Sequence, residues 1–143
     1  MNTATAVAPV AAGALPRAVL AFEVAFTPSK ARVAQMRRIT HAHMALWGLP
    51  STLADDVVLA VSELVTNAVR YGRGNVRLWV RCAEELRIEV RDGNPAPALV
   101  RTTTDQDESG RGLLLVAGLA RKWGVSQDGR TTWAVFCLPA GGL

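Results

Sequence analysis

The sequence has few of the residues on which disulfide-stapled and metal-dependent proteins rely. Only Cys82 and Cys137 are cysteines in 143 residues, and both fall in strand-like runs that predict reduced thiols in a core. The two histidines, His41 and His43, are two residues apart on a predicted helix. Their side chains therefore diverge by about 200° and cannot share a metal ion. These scarcities exclude a disulfide framework and a histidine metal centre.

Long apolar runs are also missing. No stretch approaches the roughly 18 consecutive apolar residues that read as a membrane span. The first 18 residues, MNTATAVAPVAAGALPRA, lack the basic start and unbroken apolar stretch of a secretion signal. We therefore predict a disordered tail over 1–18, one domain with one core over 19–143, and a cytoplasmic protein that does not contact a membrane.

Basic residues are plentiful but dispersed. The net charge is +4, and only Lys30 and Lys122 are lysines, so arginine supplies 14 of the 16 cationic side chains. No basic run exceeds two residues, so no continuous stripe for a nucleic-acid backbone is evident. Arginine-rich surfaces also suit acidic protein partners.

Hydrophobic periodicity predicts alternating strands and helices. The elements are a strand over 21–26, a helix from Thr27-Pro28 to about Leu46 with Thr27 as its cap, and a helix capped by Ser51 that ends at Gly72. Strands over 75–82 and 86–92, a buried helix over 112–123 and a hairpin over 125–139 follow. The two middle strands have one apolar and one polar face, which predicts a sheet covered on one side only. The fold class is α+β, a two-layer sandwich of a mixed, mostly antiparallel sheet with helices on one face. Core positions are expected for Trp47, Trp123 and Trp133.

A polar pair interrupts the second helix, in SELVTNAVRYG (62–72). Glu63 and Asn67 are four residues apart and point the same way, about 6 Å apart along the helix axis. Asparagine is a poor helix-interior residue, whereas a carboxylate beside an amide oxygen can order a divalent cation. An exposed polar face is the alternative interpretation of this pair.

Two further segments carry unusual polar and glycine residues. In EVRDGNP (89–95), Asp92 follows a strand at once and Gly93 permits a turn or a close approach to a ligand. In ESGRGLLLV (108–116), Gly110 and Gly112 flank Arg111 where a loop becomes a helix. Free N–H groups, the helix dipole and an arginine together suit a phosphate chain.

The order of these three segments resembles the ATP-binding fold shared by DNA gyrase, sensor histidine kinases and a major heat-shock chaperone, the Bergerat or GHKL fold. Within it, the chain is similar to the small anti-sigma-factor serine/threonine kinases. The resemblance covers about residues 20–139 and rests on WGL (47–49), SELVTNAVRYG, ESGRGL and WGV…GRTTWA (123–134).

The resemblance implies a role for each unusual residue. Asn67 would ligate Mg2+ that bridges the phosphates of ATP, and Glu63 would act as base or orient the attacking hydroxyl. Asp92 would accept the adenine amino group, with Gly93 against the purine. The phosphates would be held by Gly110, Arg111 and Gly112, beneath a lid over 95–109. Thr131, with Thr132 as the alternative, would supply a hydroxyl that supports Asp92.

The resemblance also implies a function and partners. The protein would be a kinase of a partner-switching system that binds a sigma factor, phosphorylates an anti-anti-sigma protein and can form a homodimer. Two departures, Glu108 where these kinases carry a basic residue and Pro95 where a second glycine is usual, favour an alternative: a module that binds ATP and regulates by association alone. A sheet-based RNA binder is a further alternative, since the polar sheet face carries aromatic and arginine side chains, namely Arg77, Trp79, Arg81, Arg87 and Arg91.

Overall fold

Strands and helices alternate along the chain and form two layers. The computed structural model describes residues 6–7, 19–93 and 108–140, with the backbone alone for 6–7 and 108–111. The elements in chain order are β1 (Ala6–Val7), β2 (Leu20–Phe26), α1 (Lys30–Leu46), α2 (Ser51–Tyr71), β3 (Val76–Cys82), β4 (Glu85–Arg91), α3 (Glu108–Leu119), β5 (Lys122–Val125) and β6 (Thr131–Cys137).

The described strands form one six-stranded sheet in the order β1-β2-β3-β4-β6-β5. Every described strand pair is antiparallel, where we expected a mixed sheet with mostly antiparallel pairs. The α+β fold class is confirmed, with the helices on one face of the sheet. The short β1 falls within the segment 1–18 and pairs with the edge of β2.

Period-two alternation sets which face of the sheet becomes the core. Across three strands, Val24 lies opposite Leu78, and Leu78 lies opposite Val90. All three side chains are buried and belong to the core that the helices cover. The intervening residues, among them Arg77 and Trp79, project from the other side, which we call the open face. For β3 and β4, the face that the sequence predicted to be buried is the one that forms the core.

Both long helices begin slightly differently from the prediction. The predicted cap at Thr27 is wrong, because α1 begins at Lys30 with Ser29 as its extended N-cap residue. The Ser29 carbonyl accepts the first hydrogen bond, from the N–H of Arg32 at 3.0 Å. Likewise Ser51 is the first helical residue of α2 rather than its cap, which is Pro50. Neither cap residue makes a side-chain capping hydrogen bond.

Three further expectations need correction. The third helix begins at Glu108 instead of residue 112 and ends at Leu119. Cys82 is buried as expected, and burial raises the pKa of its thiol, but Cys137 ends β6 on the exposed side. Trp133 is not a core residue, because its register with Glu89 puts it on the open face.

The described helices differ from membrane spans. None of those in residues 19–93 and 108–140 combines the length and the apolar character needed to cross a bilayer.

Candidate functional site

The polar pair on α2 lies at the boundary between that helix and α3. The buried stripe of α2 packs on the sheet and on α1, so the helix holds Glu63 and Asn67 in fixed positions. Asn67 is only 5% exposed, and its amide oxygen Oδ1 has no hydrogen-bond partner among the described residues. An unsatisfied buried acceptor costs about 1–3 kcal/mol. Such an oxygen suits a cation or a donor that arrives with a ligand.

Gly112 brings the backbone of α3 against the Glu63 side chain. A Cβ atom added to Gly112 would lie 2.5 Å from Oε1 of Glu63, so the Glu63 side chain would have to shift to admit it. Glycine at this position therefore lets the start of α3 reach the carboxylate. The two helices pack extensively along this line, and the contact joins two of the segments that the sequence singled out.

The phosphate-binding segment predicted from ESGRG (108–112) lies inside the helix rather than before it. Because α3 begins at Glu108, Gly110, Arg111 and Gly112 belong to its first turns. The first four N–H groups of any α-helix lack an intrahelical partner and form the positive end of the helix dipole. This end of α3 is therefore a suitable place for negative charge. The side chain of Arg111 lies outside the described residues, as does the predicted lid apart from the backbone of 108–109.

Asp92 marks the other end of the site, where β4 meets the end of α2. Its N–H donates to the Arg130 carbonyl at 3.0 Å, and the next N–H, of Gly93, donates to the Arg73 carbonyl at 2.7 Å. The residue is 8% exposed. A Cβ atom on Gly72 would lie 2.6 Å from Cγ of Asp92 and would also collide with the Ala68 carbonyl oxygen. The glycine that ends α2 thus makes room for the carboxyl group.

The hydroxyl assigned to Thr131 is on the wrong face of the sheet for that role. Thr131 lies opposite Arg91, and its Oγ1 accepts a hydrogen bond from Arg91 Nη1 at 3.0 Å on the open face. Thr132 pairs with Val90, so its buried side chain projects to the helix side, where Asp92 also lies. The structure therefore favours Thr132, and the prediction for Thr131 is wrong.

The polar groups of the candidate site follow one another along α2. With a rise of about 1.5 Å per residue, Asn67 lies between Glu63 on one side and the Gly72–Asp92 contact on the other. Within residues 19–93 and 112–140, no three His, Cys, Asp or Glu side chains cluster as a metal cage. A cation at Asn67 would complete its coordination from ligand oxygens and water, a pattern that suits Mg2+.

Sequence reasoning missed the residues that contact Asp92 and Gly93 and hold them in place. The sequence indicated Gly72 only as the end of a helix. No sequence pattern marked the backbone carbonyls of Arg73 and Arg130 as hydrogen-bond acceptors. Their contacts with Asp92 and Gly93 depend on how β4, β6 and the end of α2 converge. The one available signal was the position of Gly72 directly after the helix that carries Glu63 and Asn67.

Two comparisons with known proteins found matches. The family model described as "Histidine kinase-like ATPase domain" matches residues 26–136, which is most of the chain and includes every site residue. An uncharacterized protein of Streptomyces coelicolor is 39% identical over 87 residues, which cover 57% of this chain and 82% of the relative.

Proposed function

The chain belongs to the histidine kinase-like ATPase domain family, an ATP-binding family, and from this premise we propose that it is a serine/threonine protein kinase. In this proposal the protein acts in a partner-switching system of the anti-sigma-factor type. It binds a sigma factor and uses ATP and Mg2+ to phosphorylate an antagonist protein in the cytoplasm.

One observation carries the proposal. The amide oxygen of Asn67 is buried without a described partner, one helical turn from Glu63 on the same side of α2. A hard oxygen ligand beside a carboxylate fits a magnesium ion that is shared with phosphate oxygens. Asn67 would hold the ion, and Mg2+ would neutralise charge on the transferred phosphoryl group.

The remaining residues position the nucleotide and the protein substrate. The Asp92 carboxylate, acceptor-only when ionised, would receive the amino group of adenine, with Thr132 on the same side of the sheet. The amino end of α3 would face the phosphates. Glu63 would take the proton of the attacking hydroxyl or orient it, as a base within hydrogen-bond reach can do.

A module that binds ATP and regulates only by association remains the second candidate. The observation that favours it is Glu108. An acidic residue suits the positive start of a helix, but its charge would repel the phosphates that a kinase has to hold there.

The experiment that separates the two candidates is phosphoryl transfer from radiolabelled ATP to antagonist proteins encoded nearby. Glu63→Gln is nearly isosteric and cannot accept a proton. We expect transfer to fall by about 100-fold or more, the usual scale for a positioned base, while ATP still binds. The matched control is Glu84→Gln, at an exposed position in the β3–β4 turn, which should transfer at the wild-type rate.

Two results would change the assignment. Wild-type transfer by Glu63→Gln would remove Glu63 from the chemistry. No transfer by the wild-type chain to any antagonist that it binds, with ATP binding intact, would favour the association-only module.

A further inference from the structure

A groove crosses the open face of the sheet, on the side away from Asn67. It consists of two cavities that share Arg77 and Arg91. The lining of the larger, of about 520 Å3, includes Arg77, Arg91, Asp92, Gly93 and Arg130. The smaller, of about 180 Å3, is lined by Glu23, Arg77, Trp79, Glu89, Arg91 and Thr131. Together they connect the middle of the sheet with the β5–β6 turn.

Two arginines face each other across the floor of this groove. Arg77 and Arg91 are direct cross-strand partners, an arrangement of like charges that is unfavourable in itself. Arg77 is paired with Glu23 at 2.7 Å and Arg91 with Asp128 at 3.2 Å. These pairs hold both guanidinium groups in place at partly exposed positions.

Arg130 adds a cation that these pairs do not balance. It is exposed, and its guanidinium makes no hydrogen bond or ion pair within residues 19–93 and 112–140. Asp128 holds the turn that carries Arg130. Its carboxylate accepts hydrogen bonds from the Ser126 hydroxyl at 2.6 Å and from the Arg130 N–H at 3.0 Å. The Ser126 hydrogen bond is the largest of the effects that lower the pKa of Asp128 to about 2, so Asp128 is ionised at neutral pH. Asp92 also lines the larger cavity, but its carboxyl group lies against Gly72 at the end of α2. The charged side chains on the open face here are therefore three arginines and the two carboxylates of Glu23 and Asp128.

Trp79 supplies an apolar wall to the same groove. Its ring is partly exposed, and the Arg81 guanidinium lies 5.9 Å from the ring centroid. Tryptophan and arginine are the residues most enriched at interface hot spots. An indole bordered by arginines at a concave position is thus suited to a protein contact.

We propose that this groove docks an acidic segment of a protein partner through Arg77, Arg91 and Arg130, with Trp79 as the apolar contact. Glu23 and Glu89 line the same groove and would repel a continuous phosphate backbone, which argues against nucleic acid. A polypeptide can place carboxylates on the arginines and neutral residues beside the two glutamates. The larger cavity borders the nucleotide site at Asp92 and Gly93, but the docking contacts proposed here lie on the open face, and the proposal stands whether or not the partner is phosphorylated.

The test is fluorescence anisotropy of a labelled peptide of alternating glutamate and alanine, titrated with the full chain. Arg130→Ala and Arg77→Ala should each weaken binding by about tenfold, the scale of a charge-assisted hydrogen bond. The matched control, Arg32→Ala, removes the same charge from an exposed position on α1, where the side chain contacts Gln35. Its affinity should stay within about twofold of the wild type, because a distant exposed charge is largely screened.

Three results would overturn the proposal. The first is no binding by the wild-type chain, or equal weakening in Arg32→Ala, which would indicate bulk charge. The second is tighter binding of a labelled oligothymidylate that the same groove substitutions abolish, which would assign the groove to nucleic acid. The third is a dimer in sedimentation that Trp79→Ala dissociates, because a second copy of the chain would then cover the groove.

Discussion

The two sides of the sheet differ in the burial and pairing of their polar groups. On the helix side, Asn67 is buried with no described partner for its amide oxygen, at a cost of about 1–3 kcal/mol. On the open face, Arg77 and Arg91 are exposed and paired with carboxylates, and exposed pairs contribute only about 0–1 kcal/mol. The unsatisfied acceptor lowers the stability of the helix side, whereas the open face exposes its charges at little cost to folding.

The largest expected effects come from replacing one glycine on each side of the sheet with alanine. On the helix side, Gly72→Ala would place a Cβ atom against the Ala68 carbonyl oxygen and 2.6 Å from Cγ of Asp92. On the open face, Gly124→Ala would place a Cβ atom 2.7 Å from Cζ2 of Trp133. Overpacking of this kind costs about 1–3 kcal/mol. We expect both variants to unfold at lower temperature, but only Gly72→Ala to lose ATP binding. Thermal unfolding and ATP titration of the two variants measure this directly.

If Gly124→Ala loses as much ATP affinity as Gly72→Ala, the two sides of the sheet do not differ in their effect on ATP binding. The nucleotide site would then depend on general stability of the sheet and not on the contact between Gly72 and Asp92.

A smaller effect is expected from Asp92→Asn, which keeps the shape of the side chain. The carboxylate can only accept, whereas the amide can present a donor to the adenine amino group. ATP should lose about tenfold in affinity, in line with one mismatched hydrogen bond, and GTP should lose less. Competition titrations with the two nucleotides measure the difference, and equal losses would make Asp92 a turn residue only.

The sequence was most informative where polarity alternates and least informative where it does not. In β3 and β4 the repeated apolar-polar order assigned residues such as Leu78 and Arg77 to the correct faces. Thr131 and Thr132 carry the same side chain, so no contrast indicated which one projects toward Asp92. That choice depends on the register between β4 and β6, which are separated by some 40 residues of chain.

Helix ends were similarly difficult to predict. Thr27 is a good capping residue by type, yet Ser29 takes the N-cap position, and neither choice is marked by a capping hydrogen bond. The Glu63–Asn67 spacing, by contrast, needed only helical periodicity. The buried and unpartnered state of Asn67 became visible only once α2 was packed.

The smallest expected effect concerns two glycines of the same helix. Alanine is favoured over glycine in a helix interior by about 0.5–1 kcal/mol, and a Cβ atom on Gly118 would meet nothing within 4 Å. On Gly112 it would meet Oε1 of Glu63, a flexible side-chain end that can move aside. We expect both variants to fold at least as stably as the wild type, with phosphoryl transfer lowered several-fold only in Gly112→Ala.

Equal transfer by the Gly112→Ala and Gly118→Ala variants would contradict a role for the contact between α3 and Glu63. A large loss of stability in Gly112→Ala would show that the helices cannot absorb the added methyl group.

The most direct test of the central claim is an ATP titration of Asn67→Ala with and without Mg2+, beside its thermal unfolding. If the buried amide oxygen is held for a magnesium-bound nucleotide, the variant should lose the Mg2+-dependent part of its ATP affinity. It should also become more stable by about 0.5–1 kcal/mol, because alanine is the better helix former and the unsatisfied acceptor is gone. An unchanged response to Mg2+, or a lower unfolding temperature, would show that Asn67 is a structural residue and would contradict the account.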